Sequence, residues 1–178
     1  KENISDTAKV ASRFVDIIAA RVYKRQDIWD LAKYADVPII NMLDDFAHPC
    51  QILGDFQTIK EKKGDLERKK LAYFGDAHNN VTYDLMRMCA LFGWKMHIAC
   101  PEAPEYSPEL EVLNEVNELS KKTGAEIAVV HNALDGADKS DIIYTDSWMS
   151  YGIPKEQEDQ RKKAFMPYQV TSAIMNAA

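Results

Sequence analysis

Residues 71–99 have the sequence LAYFGDAHNNVTYDLMRMCALFGWKMHIA. The apolar run at residues 71–74 predicts a buried strand, and the spacing of apolar residues from 79 to 92 predicts a helix. A second apolar run, at residues 95–99, predicts the next strand. Strands that alternate with helices usually lie parallel and are joined by right-handed crossovers. This stretch therefore predicts an α/β fold that is built on a parallel sheet.

The same alternation continues beyond this stretch. It predicts a helix at residues 108–122 and strands at residues 126–130 and 142–145. Ser107 is a good cap ahead of Pro108, and Gly124 allows the left-handed conformation in which many helices end. The C-terminal part of the chain is thus predicted to be a mostly parallel sheet with flanking helices.

The N-terminal part is predicted to contain shorter elements. Ser5 and Asp6 can cap a first helix. The apolar face of that helix would consist of Ala11, Phe14, Val15 and Ile18. The further elements are predicted to be a strand at 17–20, a helix at 27–34, a strand at 37–42 and a helix at 49–60. The charged loop around Gly64 predicts a boundary between two domains, at residues 1–63 and 64–178.

Composition and charge exclude several classes of protein. The chain has 178 residues, of which 46% are hydrophobic and 28% are charged, and its net charge is -6. Nucleic acid is not expected as a partner, because binding to phosphates requires clustered Lys and Arg. No apolar stretch approaches the ~20 residues that span a bilayer, and residues 1–20 do not resemble a signal peptide. We expect no membrane partner and a cytoplasmic location, with the mitochondrial matrix left open.

The three cysteines give no sign of a metal site or of a disulfide framework. Cys50, Cys89 and Cys100 lack the spacing of metal ligands, and their odd number argues against complete pairing within the chain. We therefore expect a reducing compartment and no metal.

Polar side chains occur where the predicted strands and helices meet. His48 and Gln51 flank the start of a helix, where unpaired N–H groups favour an anion. Arg21 and Asp146 follow predicted strands, at the edge where open α/β sheets bind ligands. Taken singly, these residues are more typical of helix punctuation and solvated charges than of a binding site. The turn at residues 76–80 lacks the pattern Gly-x-Gly-x-x-Gly, which weakens an interpretation as a dinucleotide site.

Six segments occur in an order and at a spacing that resemble one enzyme family. They are ARVYK (20–24), PIIN (38–41), HPCQ (48–51), GDAHNN (75–80), YTDSWMS (144–150) and YQV (168–170). Together they resemble the carbamoyltransferases, above all those that act on ornithine, from about Asp6 to Val170. The resemblance implies that residues 1–63 are the C-terminal part of a carbamoyl phosphate-binding domain. Residues 64–178 would be a Rossmann-like amino-acid-binding domain that is incomplete at its C-terminus.

The resemblance implies transfer of the carbamoyl group of carbamoyl phosphate to the δ-amine of ornithine, with no metal or organic cofactor. Arg21 and His48 would contact the carbamoyl oxygen, on which negative charge grows during attack. Gln51 would accept a hydrogen bond from the carbamoyl NH2 group. Cys50 would not be a nucleophile, because the amine substrate supplies the attacking group.

The acceptor would be held by the second domain. The resemblance implies that Asn80 binds the α-carboxylate, with Asn79 supporting the turn, and that Asp146 and Ser150 bind the α-amino group. Tyr151 would also line this site, in the place where the family motif Asp-x-x-x-Ser-Met-Gly has methionine. This difference leaves the acceptor amine open, with putrescine, lysine and an acylated ornithine as alternatives.

Two family motifs do not occur in the chain. They are the phosphate-binding Ser-Thr-Arg-Thr motif, which lies upstream of the matching region in the family, and the downstream His-Cys-Leu-Pro motif. We expect either a fragment of a longer enzyme or a contribution from another subunit, and a homotrimer or higher homo-oligomer, since family enzymes are typically trimers. A non-catalytic α/β ligand-binding module is the alternative from another class, although such a module would need none of these polar side chains.

Overall fold

The computed structural model describes residues 2–150 and 153–178. The chain divides into two compact units, Lys1–Lys62 and Lys63–Ala178. The first elements along the chain are α1 (Ile4–Ala11), β1 (Ile18–Arg21), α2 (Arg25–Tyr34), β2 (Ile39–Leu43) and α3 (Pro49–Lys63). They are followed by β3 (Lys70–Phe74), α4 (Asn80–Phe92), β4 (Lys95–Ala99), α5 (Leu110–Thr123), β5 (Glu126–Val130), α6 (Ala133–Ala137), β6 (Ile142–Thr145), α7 (Glu158–Phe165) and α8 (Ser172–Ala177). The predicted α/β class, with parallel sheets and flanking helices, is confirmed.

The first unit contains a pair of parallel strands, β1 and β2. Ile18 lies opposite Ile39, and Arg21 lies opposite Leu43, with a shift in register between Ala20 and Arg21. Because the strands are parallel, both carboxyl ends lie at the same edge. This edge receives Arg21 and the loop that leads into α3.

The second unit contains a four-stranded parallel sheet with the order β5-β4-β3-β6. The chain passes from β3 to β4 and β5 in one direction and then returns to place β6 on the other side of β3. The carboxyl ends of β3 and β6 are therefore neighbours at a change of winding direction. Open α/β sheets bind their ligands at such a switch point.

Strand β3 is the centre of the second unit. Its residues from Leu71 to Phe74 are fully buried, as expected for a central parallel strand that is covered on both faces. One face packs with α6 and α8 in a core cluster that contains Ala72, Phe74, Ala99, Ala137, Tyr168 and Ile174. Helix α4 packs against α5, β4 and β5, and α5 also packs against β5. This core fixes the strand ends from which the polar loops leave.

The prediction for the first helix is wrong. Helix α1 ends at Ala11, and its cap is Asn3 rather than Ser5 or Asp6. Phe14 and Val15, which were expected on the apolar face, are 81% and 45% exposed. The Arg13 and Phe14 N–H groups donate to the carbonyls three residues earlier, so the chain tightens after Ala11. Phe14 and Val15 therefore lie beyond the end of the helix and do not form part of its apolar face.

Other elements follow the predictions closely. The bounds of β4, β5 and β6 are those predicted. Helix α5 begins two residues later than predicted, since Ser107 does not cap it: its hydroxyl donates to the Ala103 carbonyl, at 2.9 Å. The short helices α6, α7 and α8 had not been predicted.

Helices α4 and α5 provide a matched test of this packing. Both end at a glycine in the left-handed conformation, with φ +69° at Gly93 and +78° at Gly124. A Cβ at Gly93 would lie 2.9 Å from the Thr123 carbonyl oxygen, whereas none of the heavy atoms considered would lie within 4 Å of one at Gly124. Backbone strain alone should make Gly124→Ala lower the free energy of unfolding by about 1–2 kcal/mol. Gly93→Ala should lower it further, as measured by urea denaturation, and equal losses would contradict this packing.

Candidate functional site

The turn between β3 and α4 is built around the buried Asp76. This residue is 3% exposed. Its Oδ1 accepts from the His78 N–H at 3.0 Å, and its Oδ2 is paired with the Arg161 guanidinium. Burial raises the pKa of Asp76, while the His78 N–H and the Arg161 charge oppose this shift. The carboxylate thus fixes the turn from two sides.

The main chain of the same turn is also held in place. The Gly75 N–H donates to the Ala99 carbonyl at 3.1 Å, and the Ala77 N–H donates to the Tyr106 carbonyl at 3.0 Å. Gly75 has φ +124°, and a Cβ there would lie 3.3 Å from the Trp148 indole nitrogen. The close approach of Trp148 brings the loop after β6 against the turn after β3.

Asn79 is the cap of α4 and holds the turn together. Its Oδ1 accepts from the Thr82 N–H at 2.9 Å, and its amide nitrogen donates to the Tyr73 hydroxyl at 3.2 Å and to the Asp76 carbonyl. The Tyr73 hydroxyl donates to the same carbonyl at 2.7 Å. The amide oxygen and nitrogen of Asn79 are therefore both bonded within the turn. Asn79 would support ligand binding indirectly, by holding the neighbouring residue in place.

That neighbour, Asn80, is the first residue of α4 and is half-buried. The first turn of α4 contains no Asp or Glu. Its N–H groups and the helix dipole therefore produce a positive potential beside the Asn80 side chain. This environment suits a carboxylate.

Strand β6 ends beside this turn. Its last residue, Thr145, donates from its hydroxyl to the Phe74 carbonyl at 2.9 Å. The Tyr144 ring is stacked on Tyr73, with 6.1 Å between the ring centroids. These contacts align the two carboxyl ends, so that the residues after β6 begin next to those after β3.

Asp146 is the first residue after β6 and is half-buried. Its Oδ1 accepts from the Ser147 N–H at 2.7 Å. Burial raises the pKa of Tyr73 beyond its usual range, and the carboxylates of Asp146 and Asp76 add to this effect. The contacts of Thr145 and Tyr144 with β3 thus hold the start of the Asp146 loop beside the turn that contains Asn79.

The loop that contains Asp146 continues through Ser150. The Ser147 hydroxyl donates to the Met149 carbonyl at 3.1 Å and accepts from the Met149 N–H at 3.2 Å. Ser150 is half-buried, and its carbonyl accepts from the Ile153 N–H at 3.2 Å. Tyr151 lies outside the described residues.

In the first unit, a buried Asp44 shapes the turn that leads to His48. Asp44 is 2% exposed, and its Oδ1 accepts from the N–H groups of Phe46 and Ala47, both at 2.7 Å. Its Oδ2 accepts from the Asn41 amide at 2.8 Å. As with Asp76, a buried carboxylate after a strand fixes the path of the chain into a helix.

Arg21 and His48 lie at the carboxyl edge of the β1–β2 pair. Arg21 is exposed and pairs in register with Leu43, five residues before His48. The His48 carbonyl accepts from the N–H groups of Gln51 and Ile52, at 3.1 and 3.3 Å, so His48 stands directly ahead of α3. This is the position that its motif predicted.

The Gln51 side chain is exposed and oriented by its own helix. Its amide nitrogen donates to the Asp55 carboxylate one turn later, at 3.0 Å. With its nitrogen bonded to Asp55, the amide offers its oxygen as an acceptor for a ligand.

Two of the three cysteines, Cys89 and Cys100, are buried. Burial raises the pKa of Cys100 to about 11 and shifts that of Cys89 upward as well. Cys50 is exposed, and its thiol lies 3.4 Å from the Asn41 carbonyl oxygen.

Within residues 2–150 and 153–178, no three His, Cys, Asp or Glu side chains are arranged to hold a metal ion. No helix in that part of the chain is both long and apolar enough to cross a membrane.

The structure groups the expected residues by unit. Arg21 and His48 lie at the carboxyl edge of the small sheet, and Gln51 lies in the first turn of α3. Asn79, Asn80 and Asp146 lie at the carboxyl edge of the large sheet, and Ser150 lies in the loop that follows β6. Sequence reasoning missed Asp44, Tyr73 and Arg161, which hold these groups in place. A strand that is followed by Asp or Asn is the only signal for Asp44, and nothing in the charged run around Arg161 indicates that it is buried.

Two family models match the chain. The model of the aspartate/ornithine carbamoyltransferase carbamoyl-P binding domain matches residues 1–61. The model of the aspartate/ornithine carbamoyltransferase Asp/Orn binding domain matches residues 67–178. The two matches together account for nearly the whole chain.

Individual relatives agree with these models. The ornithine carbamoyltransferase from Methanobrevibacter smithii is 46% identical over 99% of this chain and 58% of its own length. That from Thermococcus kodakarensis is 44% identical over 99% of this chain and 55% of its own length. The solved ornithine carbamoyltransferase from Pyrococcus furiosus is 43% identical with a TM-score of 0.91, over 99% of this chain and 55% of its own. That from Giardia lamblia is 42% identical with a TM-score of 0.89, over 98% and 58%. The chain thus spans slightly more than half the length of the relatives it matches.

Two asparagine caps allow the role of Asn79 to be measured. Asn132 caps α6 by accepting from the Leu134 and Asp135 N–H groups, at 2.9 and 3.2 Å. Among the described residues it makes no bond of the kind that Asn79 makes to Tyr73. Asn132→Ala should lower the free energy of unfolding by about 1 kcal/mol. Asn79→Ala should lower it by about 2–3 kcal/mol, because buried bonds are lost together with the cap. Equal losses in urea denaturation would show that the turn does not depend on Asn79.

Proposed function

The chain belongs to the aspartate/ornithine carbamoyltransferase family, and we propose that the complete protein transfers the carbamoyl group of carbamoyl phosphate to the δ-amine of ornithine, giving citrulline and phosphate. The observation that carries this proposal is the pair of neighbouring strand ends in the second unit. One bears a helix N-terminus that suits a carboxylate, and the other bears the Asp146 carboxylate, which suits an ammonium group. An α-amino acid carries both of these charges on one carbon.

The acceptor is held by these two strand ends. Asn80 and the N-terminus of α4 bind the α-carboxylate, while Asp146 and Ser150 bind the α-amino group. Asn79 contributes by capping α4 and thereby fixing Asn80. The side chain of ornithine, with its δ-amine, is left pointing away from the two charged groups that hold it.

The donor is held by the first unit. Arg21 and His48 donate to the carbamoyl oxygen of carbamoyl phosphate, and the Gln51 amide oxygen accepts from the carbamoyl NH2 group. The orientation of the Gln51 amide by Asp55 supports this role. The two domain assignments follow: residues 1–63 belong to the carbamoyl phosphate-binding domain and residues 64–178 to the ornithine-binding domain.

The chemistry requires only positioning and charge stabilisation. The lone pair of the neutral δ-amine attacks the carbamoyl carbon, and a C–N bond forms while the carbonyl π electrons move to the oxygen. Arg21 and His48 stabilise this developing charge. The oxygen then re-forms its double bond, and the C–O bond to phosphate breaks with its electron pair leaving on the phosphate oxygen. The departing phosphate takes up the proton that the amine loses. Assembly into a homotrimer or higher homo-oligomer remains part of the proposal.

His48 provides the most direct test of the donor site. His48→Ala in the complete protein should lower kcat about 100-fold or more, the effect of removing one donor to an oxyanion in other enzymes, with little change in stability. Cys50→Ala is the matched control, because Cys50 lies in the same turn and should leave kcat nearly unchanged. Comparable turnover in the His48 variant and the wild type would refute the assigned role.

Asn80 tests the acceptor site through its substrate. Asn80→Ala should raise KM for ornithine about tenfold or more, the expected cost of a lost hydrogen bond to a charged group, and should leave KM for carbamoyl phosphate unchanged. Assays with putrescine, lysine and acetylornithine run in parallel identify the acceptor. Putrescine has no α-carboxylate, so any turnover of it should not respond to Asn80→Ala. The exposed Asn114 gives the control variant Asn114→Ala, and preferred turnover of putrescine by the wild type would contradict the proposal.

A further inference from the structure

Arg161 is a buried cation to which the proposed reaction assigns no role. It lies on α7 and is 6% exposed, which is unusual for arginine because a desolvated charge must be paired. Its neighbours in the sequence, Gln160 and Lys162, are exposed. The sequence around Arg161 is strongly charged. Lys155, Lys162 and Lys163 are exposed, whereas Arg161 is buried.

The guanidinium of Arg161 binds both loops of the acceptor site. Its Nη2 donates to the Asp76 carboxylate in the turn after β3. Its Nε donates to the Trp148 carbonyl in the loop after β6, at 2.7 Å. The rigid planar fork of arginine therefore joins two segments that are separated by more than 70 residues in the sequence.

Aromatic rings enclose this junction. The Arg161 guanidinium carbon lies 5.4 Å from the centre of the Tyr106 ring and 5.1 Å from that of Phe165. Tyr106 and Phe165 pack edge to face, with 4.7 Å between centroids, and Trp148 lies 6.0 Å from Phe165. These rings exclude water and strengthen the charged contacts. They also hold the guanidinium in a single orientation.

The two contacts end close to the groups that would bind the acceptor. Trp148 is two residues from both Asp146 and Ser150. Asp76 begins the turn that delivers Asn80. A change in the length or direction of the Arg161 side chain would therefore alter the distance between the site for the α-carboxylate and the site for the α-amino group.

We propose that Arg161 is a positioning residue that sets this distance and thereby makes the site selective for α-amino acids. The inference rests on the proposed function and deepens it: Arg161 does not touch the substrate, but joins the two loops that do. Lysine cannot replace it, because an ammonium group is a point charge and cannot reach Asp76 and the Trp148 carbonyl in the geometry of the fork.

The test compares variants of the complete protein in ornithine and carbamoyl phosphate kinetics. Arg161→Lys keeps the charge beside Asp76 but loses the bond to Trp148, and it should raise KM for ornithine about tenfold or more. KM for carbamoyl phosphate should stay within about twofold. A purely structural role would lower the active fraction, and therefore apparent kcat, without this difference between the two KM values. Lys162→Ala is the control, because Lys162 is exposed on the same helix and pairs with Glu158 in solvent.

A second variant and a binding measurement keep the test decisive if Arg161→Lys folds poorly. The double variant Asp76→Asn with Arg161→Gln leaves no unpaired buried charge but also lacks the bond to Trp148, so it should show the same selective loss. Calorimetric titration with L-norvaline, an α-amino acid of the same chain length without the δ-amine, should show the affinity loss without any turnover. Normal KM for ornithine and normal norvaline affinity in either variant, once it is shown to be folded, would overturn the role of Arg161. Absence of carbamoyl transfer by the wild type would instead refute the proposed function.

Discussion

The parallel pairing of β3 with β4 on one side and β6 on the other is the constraint on which the second unit depends. Because β6 returns to the far side of β3, two loops leave the same edge of the sheet next to each other. One opens α4 at Asn80, and the other carries Asp146. The register that places Phe74 opposite Thr145 thus brings a helix N-terminus next to a carboxylate. Both groups lie within a few residues of the buried strands.

Residues that would contact a ligand and residues that hold them are separate sets in both units. Buried carboxylates do the holding: Asp44 binds two backbone N–H groups ahead of His48, and Asp76 binds the His78 N–H ahead of Asn80. The half-buried or exposed groups at the strand ends are the ones that we propose bind substrate. Because the buried carboxylates fix the loops before a ligand binds, little of the binding energy is needed to order these loops.

The sequence predicts most of the fold and the positions of the polar groups, and it fails where a contact is made over a long distance. Strands such as β4 are bounded by Gly93 and Pro101, which mark their ends locally. The first helix was extended too far because the apolar spacing of Phe14 and Val15 does not show that they are exposed. Arg161 could not be found at all, since its burial depends on Asp76, which lies 85 residues away.

We propose that the carboxyl ends of β3 and β6 hold the two charged groups of an α-amino acid. A crystal structure of the complete protein with phosphate and L-norvaline tests this placement. We expect the ligand carboxylate at the N-terminus of α4 within hydrogen-bonding distance of Asn80, and its ammonium group within hydrogen-bonding distance of Asp146. A ligand bound away from these two strand ends, or bound with its charged groups reversed, would contradict the account.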